Sequence, residues 1–327
     1  MADLHKEFGT FHDRIALTSA KKATLRTARD AIRERIRKYF RETLKLMIPK
    51  FRGQGSYAMG TTVNPIGGEY DIDDGVYLQH LDNQNDSDWP AAATVHQWLV
   101  KATDGHTSEK PIDKRTCVRV RYAGQYHVDL PSYGELNGQY LLAVKDEAKW
   151  RQSDPLALTD WFVEQVKLQG EQLRRVVRYL KAWADFQSNR RGKMPSGLIL
   201  TVLASQNFKS HERDDVALAD TIQAISNVVS TVFCVFNPVN SSEELTARLT
   251  DVQKTRFQEA IKEAAEDAND AVSMEDSQAA SKQWRKQLGD RFPLVAKGDD
   301  KVLSKQTAAS LAAVHARKNP PKPWGRR

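Results

Sequence analysis

Two cysteines, Cys117 and Cys234, are all that the 327 residues carry. That scarcity argues against a disulfide framework and against a four-cysteine zinc site, and it suits a reducing cytosol. No apolar run approaches the ~20 residues that span a bilayer, and the N-terminus lacks a hydrophobic signal core. The expectation is therefore a soluble cytoplasmic protein with no membrane partner. There is no internal repeat, and no lysine-bearing Walker A loop. His96, His106, His127 and His211 lack metal-ligand spacing and read as structural or solvent-facing, and chain order alone supports no Ser-His-Asp triad. An excess of one charge is also missing: 49 basic residues stand against 42 acidic ones, net +7, with the strongest basic cluster at the C-terminal end. Such a balance fits a polyphosphate or nucleic-acid partner without proving either.

What is present divides into two unlike halves. A chain of this length forms one large domain or two lobes. Residues 1–14 are polar-aromatic and poorly periodic. From Thr18 or Ser19, Leu25, Ala28, Ile32, Ile36, Phe40 and Leu44 recur every three or four positions, predicting one long helix to about Leu46, ended before Pro49. Tyr70 to Leu78 alternates as a strand, and 90–103 can form a short helix. Cys117 to Leu130 reads as a hairpin that turns at 123–125 and stops at Pro131, which cannot continue a ladder easily. Beyond Ala157 the periodicity is helical over 168–186, 195–208, 220–233 and 277–288. Ser241 to Glu244 resembles a capping box opening a long helix with Leu245, Leu249, Val252, Phe257 and Ile261. The fold class is α+β in two lobes, with a cleft between them. Residues 1–155 form a mixed-sheet catalytic lobe with a long N-terminal spine helix, 156–310 form a helical lobe, and 311–327 form a flexible basic, proline-rich tail.

The chemistry concentrates in FRGQGSYAMGTTVNPIGGEYDIDDGVYL, residues 51–78. Side chains two apart on a strand point the same way, so Asp71 and Asp73 project together while Ile72 faces the core. Carboxylates that close repel unless a cation sits between them, and hard oxygen donors suit Mg²⁺ or Mn²⁺. Asp74 faces away and reads as a turn cap or a local hydrogen-bonding group. Asp129 lies between Val128 and Leu130 and projects opposite them. If its strand neighbours that of Asp71, the three acids form a patch able to hold two divalent ions roughly 4 Å apart, as phosphoryl transfer requires. Each acid also has a plainer reading: a solvated turn for the pair, an edge-strand acid for Asp129.

Gly53, Gly55 and Gly60 surround Ser56, and a turn of this kind can present successive N–H groups to a phosphate. Farther on, Arg174, Arg178 and Lys181 lie at helical spacing on one side of QLRRVVRYLKAW, where they either face the far end of a triphosphate or form a solvated surface. Lys181 and Ser196 are the preferred phosphate contacts. Tyr133 reads as a core or rim residue before a base-stacking one.

Together, Gly55-Ser56, Asp71-x-Asp73 and the remote Asp129 resemble the nucleotidyltransferase superfamily of DNA polymerase beta. QGSYAMGTTVNP, EYDIDDGVYL, RVVRYLKAW and MPSGLILTVLA look closest to the bacterial cyclic-oligonucleotide synthases related to cGAS and DncV, which make nucleotide signals in anti-phage systems. The resemblance covers residues 15 to about 290. It implies that Gln54, Gly55 and Ser56 hold nucleotide phosphates, that Asp71, Asp73 and Asp129 are catalytic and bind two Mg²⁺ (or Mn²⁺) ions, and that Lys181 and Ser196 meet the triphosphate. It further implies joining of ATP, GTP or other ribonucleoside triphosphates into a ring, usually 3′,3′-linked, with release of pyrophosphate, the ring acting on a downstream effector. The tail would be a handle for a regulatory protein. Without a cysteine-rich insertion, zinc-dependent DNA sensing is not expected. Two other readings stay open: a linear transferase acting on an oligoadenylate, RNA or protein, and a catalytically silent nucleotide- or nucleic-acid-binding module.

Overall fold

The structure, a computed structural model, describes residues 1–82, 84–123 and 125–296. The tail and the end of the second lobe as drawn from the sequence, from residue 297 onward, lie outside the described residues.

The chain opens with α1 (His5–Ile15) and the spine helix α2 (Ser19–Lys38). Thr18 caps α2 by accepting the Lys21 N–H at 3.2 Å. The predicted helix does continue past Lys38, but as a π turn over Tyr39–Leu44, closed by Lys45 in the left-handed region. Next come β1 (Lys50–Gln54), the single turn α3 (Gly55–Ala58), β2 (Tyr70–Tyr77) and α4 (Ala92–Thr103). Six short strands follow: β3 (Ile112–Asp113), β4 (Val118–Tyr122), β5 (Tyr126–Leu130), β6 (Ser132–Leu136), β7 (Gln139–Leu142) and β8 (Arg151–Gln152).

These strands form one eight-stranded mixed sheet in the order β3-β4-β5-β2-β6-β7-β8, with β1 also paired to β2. The predicted hairpin is β4–β5, and β5 runs parallel to β2 from Tyr70↔Tyr126 to Asp73↔Asp129. Pro131 has no N–H to donate, yet its carbonyl accepts the Val76 N–H at 2.8 Å, and β6 resumes the parallel pairing at Val76 and Tyr77. The alternation buries Ile72, Val120 and Val128 against Leu25, Ile32 and Ile36 of the spine helix, leaving the opposite face free.

The second lobe is built from α5 (Pro155–Gln169), α6 (Glu171–Arg191), α7 (Gly197–Asn207) and α8 (Asp214–Thr231), then a small hairpin, β9 (Phe236–Asn237) and β10 (Asn240–Glu244), then α9 (Asp251–Ser273) and α10 (Ser277–Leu288). The chain thus has the two-lobed α+β arrangement expected from the sequence, a mixed-sheet lobe with a spine helix and a helical lobe.

Three expectations need correction. The capping box is not at Ser241–Glu244, which is the strand β10. Thr246 ties that strand down, donating to Glu244 Oε1 at 2.5 Å and accepting the Val235 N–H at 3.1 Å. The helix starts later, where Thr250 and Gln253 complete a true capping box. Residues 1–15, grouped with the catalytic lobe by sequence, pack in the core of the other lobe, 5–15 of them as α1. Phe8 and Phe11 meet Tyr179 and Phe292, and Phe8 also meets Trp284, with ring centroids 4.9–6.4 Å apart throughout this cluster. Asp74 does face away from the acid pair, but its partner is remote. It is fully buried and takes a bidentate pair from Arg33 of α2, at 2.7 and 2.5 Å. Arg33 thereby fastens the spine helix to the catalytic strand, and losing one partner of such a buried pair costs about 3–5 kcal/mol.

Because Phe8 is fully buried among aromatic rings, Phe8→Ala should cost about 3–5 kcal/mol of stability. Thermal unfolding checks this, and a change below 1 kcal/mol would place α1 outside the core.

Candidate active site

The sheet register sets two rows of side chains on the face away from the spine helix. In one row Asp73 of β2 stands opposite Asp129 of β5, which stands opposite Arg119 of β4. Two residues back, Asp71 stands opposite His127, which stands opposite Arg121. Period-two alternation along β2 and β5 makes both rows share one face, so three acids separated by up to 58 positions meet there.

The glycine loop sits on this patch. Gln54, the last residue of β1, is the register partner of Asp73 and donates through Nε2 to the Tyr133 hydroxyl at 3.0 Å. Tyr133 is buried and stacked on Tyr77, a core residue. Gly55 has φ +66°, and a Cβ there would lie 2.1 Å from Asp73 Oδ2. Only glycine lets the carboxylate lie that close to the turn. Ser56 Oγ lies 2.9 Å from Thr62 Oγ1, which ties the start of the loop to its return.

Helix α6 closes the cleft from the other lobe. Arg174 donates to the Met59 carbonyl at 3.1 Å, Arg178 donates to the Gly60 carbonyl, and Lys181 donates to Thr61 Oγ1 at 2.8 Å. Cations at i, i+4 and i+7 thus grip three consecutive residues of the glycine loop. Arg178 also donates to His12 Nε2 of α1 at 2.5 Å. Arg175 points elsewhere, pairing with buried Asp214. Of the basic row read from sequence, Lys181 lines the cleft, whereas the two arginines hold backbone.

Between the lobes lies a cleft of about 740 Å³, lined among others by Gln54, Gly55, Ser56, Asp71, Asp73 and Lys181. Ser196 stands at its edge, between Pro195 and Gly197 of the lining; it is exposed, and its hydroxyl caps α7 by accepting the Ile199 N–H. Gly197 leaves room for Lys181, whose Cε would be 3.1 Å from a Cβ at that position. Asp129 lies behind, 7% exposed, in a bidentate pair with Arg119 at 2.7 and 2.8 Å.

Electrostatics mark the same place. Burial, then repulsion from Asp71 and Asp129, pushes the Asp73 carboxyl up to about 8. Burial pushes the Lys181 ammonium down to about 8, against the attraction of Asp71. Three hard carboxylates, one of which is kept from ionising by burial and by its acidic neighbours, fit a divalent cation in the Mg²⁺ class. Among the described residues no three such side chains already enclose a single point, since Asp129 is turned to Arg119. The sequence reading missed Glu69, which joins Arg121 and His127 here, and His127 itself. Alternation carried the signal for His127, which is two residues before Asp129.

The family model described as "Cyclic GMP-AMP synthase DncV-like, nucleotidyltransferase domain" matches residues 49–133, and "Cyclic GMP-AMP synthase, C-terminal domain" matches residues 170–296. This chain belongs to the DncV-like nucleotidyltransferases. Among DncV-like relatives, a cyclic GMP-AMP synthase of Escherichia albertii is 28% identical over 249 residues, covering 74% of this chain and 55% of the relative. The chain thus spans about half the length of that relative. A cyclic AMP-AMP-AMP synthase of an Acinetobacter strain is 27% identical over 278 residues, covering 82% of this chain and 78% of the relative. In fold, the crystal structure of Vibrio cholerae DncV cyclic AMP-GMP synthase superposes with a TM-score of 0.75 at 20% identity, covering 90% of this chain and 100% of that one. No helix among the described residues is long and apolar enough to cross a membrane.

The Asp73 carboxyl, raised by burial and by its neighbours, gives a pH signature. A raised carboxyl contributes stability that is fully present below the unfolded value of about 4 and is lost as pH rises through about 8. The melting temperature of the metal-free protein should therefore fall between pH 5 and pH 8. Asp73→Asn should remove most of that fall, as scanning calorimetry in a chelator would show; an unchanged slope would mean that Asp73 ionises freely.

Proposed function

We propose that this protein joins ribonucleoside triphosphates into a cyclic oligonucleotide, releasing pyrophosphate, as a signal in anti-phage defence. The observation that carries the reading is the Asp73↔Asp129 pairing, with Asp71 on the same face, directly under the Gly55-Ser56 turn in the interlobe cleft. The matched family and the relatives' names, which pair synthases with two- and three-nucleotide products, support it.

In this reading Asp71, Asp73 and Asp129 hold two Mg²⁺ or Mn²⁺ ions, Asp129 turning from Arg119 to do so. The ions would supply a more acidic 3′-hydroxyl nucleophile and charge neutralisation at the departing phosphates. The chain's own work is positioning. The Gly55 and Ser56 backbone and the Ser56 hydroxyl orient the donor phosphates. Lys181, mounted on the other lobe, meets their far end, with Ser196 at the rim. Arg174 and Arg178 keep the loop and α6 in register, so that the near and far phosphate contacts stay a fixed distance apart. The product would be 3′,3′-linked and would act on a separate effector, and a partner protein would engage the C-terminal tail.

Incubation with Mg²⁺ and labelled ATP and GTP, then phosphatase, tests this. A phosphatase-resistant product identified as a ring by mass spectrometry is expected. A fully trimmed linear product would instead identify a linear transferase, and no pyrophosphate release with all four ribonucleotides and either metal would identify a binding module. Asp71→Ala or Asp73→Ala should lower turnover by more than about 10²-fold without loss of fold. Lys181→Ala, which removes a charged contact worth about 1.5–3 kcal/mol, should raise the nucleotide KM by roughly ten- to a hundredfold. An unchanged KM would remove Lys181 from the phosphate site.

A further inference from the structure

In the row Asp71–His127–Arg121 only Asp71 is used by the chemistry above, yet the rest of the row is built around it. His127 is 6% exposed, on the central parallel pair of the sheet. Its Nδ1 lies 2.9 Å from Glu69 Oε2, and Glu69 in turn takes Arg121 Nε at 3.0 Å. Arg121 is also paired with Glu109 at 3.2 Å. The imidazole is therefore oriented from one side by a carboxylate that is itself fixed. Its other nitrogen, Nε2, is buried without a hydrogen-bond partner and lies 3.8 Å from Asp71 Oδ2. An orphaned ring nitrogen in a sheet interior is costly unless it serves a neighbour, and the nearest acidic group is Asp71.

We propose that His127 is the positioning residue for Asp71: Glu69 accepts the Nδ1–H and sets the ring, and Nε2–H donates to the Asp71 carboxylate to hold it in the orientation that binds a divalent cation. The proposal rests on Asp71 being a metal ligand. A carboxylate at a strand's surface rotates about its side-chain bonds, and a divalent ion selects one rotamer. A partner on the oxygen facing away from the ion removes that entropy before binding, and outer partners of this kind typically matter by about 10–100-fold in metal affinity. Asp73 needs no such partner because Gly55 walls it in. Asp129 has Arg119. The Asp71 side chain is more exposed than that of Asp129, 38% against 10%, and has no other ion-pair partner among the described residues.

The test separates the two ring nitrogens. In His127→Gln the side-chain amide reaches the place of Nε2 and serves Asp71; in His127→Asn it reaches only the place of Nδ1 and serves Glu69. Mn²⁺ binding to the full-length protein is read by electron paramagnetic resonance, without nucleotide, beside thermal unfolding and steady-state kinetics. His127→Ala and His127→Asn should weaken Mn²⁺ binding about 10–100-fold, with kcat falling more than the nucleotide KM rises, and His127→Gln should restore much of the binding. Rescue by Asn and not by Gln would overturn the proposal, since His127 would then serve only to hold Glu69. So would wild-type Mn²⁺ affinity in His127→Ala. Should His127→Ala fail to fold, the Gln and Asn pair decides alone. Asp71→Ala is the control: if it binds Mn²⁺ like the wild type, the metal-site reading fails. If wild type binds Mn²⁺ through Asp71 but joins no nucleotides, the reading of the reaction fails while the assignment of His127 stands.

Discussion

Mutual repulsion among Asp71, Asp73 and Asp129 is the constraint around which the cleft is arranged. A sheet that aligns three acids on one face gains nothing from their proximity, and the Asp73 carboxyl, raised first by burial and then by Asp71 and Asp129, registers part of that cost. The surroundings offset it piece by piece. Arg119 takes Asp129, Arg33 takes the adjacent Asp74 on the other face, and Arg121 takes Glu69 beside His127. What remains uncompensated is the charge facing the cleft, where the proposed function puts its cations.

Two packing cores hold this patch and its lid. The sheet rests on the spine helix through an apolar face, so the acid face is rigid from behind. The helical lobe has its own core, into which α1 brings two aromatic rings. Helix α6 is the bridge: its buried stripe lies in the helical core, while Arg174, Arg178 and Lys181 reach Met59, Gly60 and Thr61 of the other lobe. The glycine loop is therefore fixed at one end by Asp73 and at the other by a helix of the second lobe. The second lobe thus contacts the glycine loop directly, through α6.

Where local pattern and local chemistry agreed, the sequence was readable. The spine helix, the β4–β5 hairpin and α10 follow from periodicity and caps, because each buries a stripe its own spacing defines. Where two local signals competed, pattern was insufficient. Ser241-x-x-Glu244 and Thr250-x-x-Gln253 both fit a capping box, and pairing with β9 decided between them. Leu4, Phe8, Phe11 and Ile15 do form a stripe at helical spacing, but a stripe does not say which lobe it packs on, and only Tyr179, Trp284 and Phe292 put Phe8 and Phe11 in the core of the second lobe. Asp74 looked like a turn cap because Arg33, 41 residues away, is invisible in a local window.

The sequence by itself determined which faces exist: alternation put Asp71 with Asp73, and Asp129 opposite its apolar neighbours, since side-chain direction on a strand is set by covalent geometry. Tertiary structure alone decided what those faces meet. Parallel pairing of β2 with β5 set Asp129 across from Asp73 and not two residues away, and brought His127 to Asp71. It also turned two arginines of α6 from open charges into clamps on backbone carbonyls. Register and lobe packing depend on contacts between distant segments, whose free energies no short stretch of sequence contains.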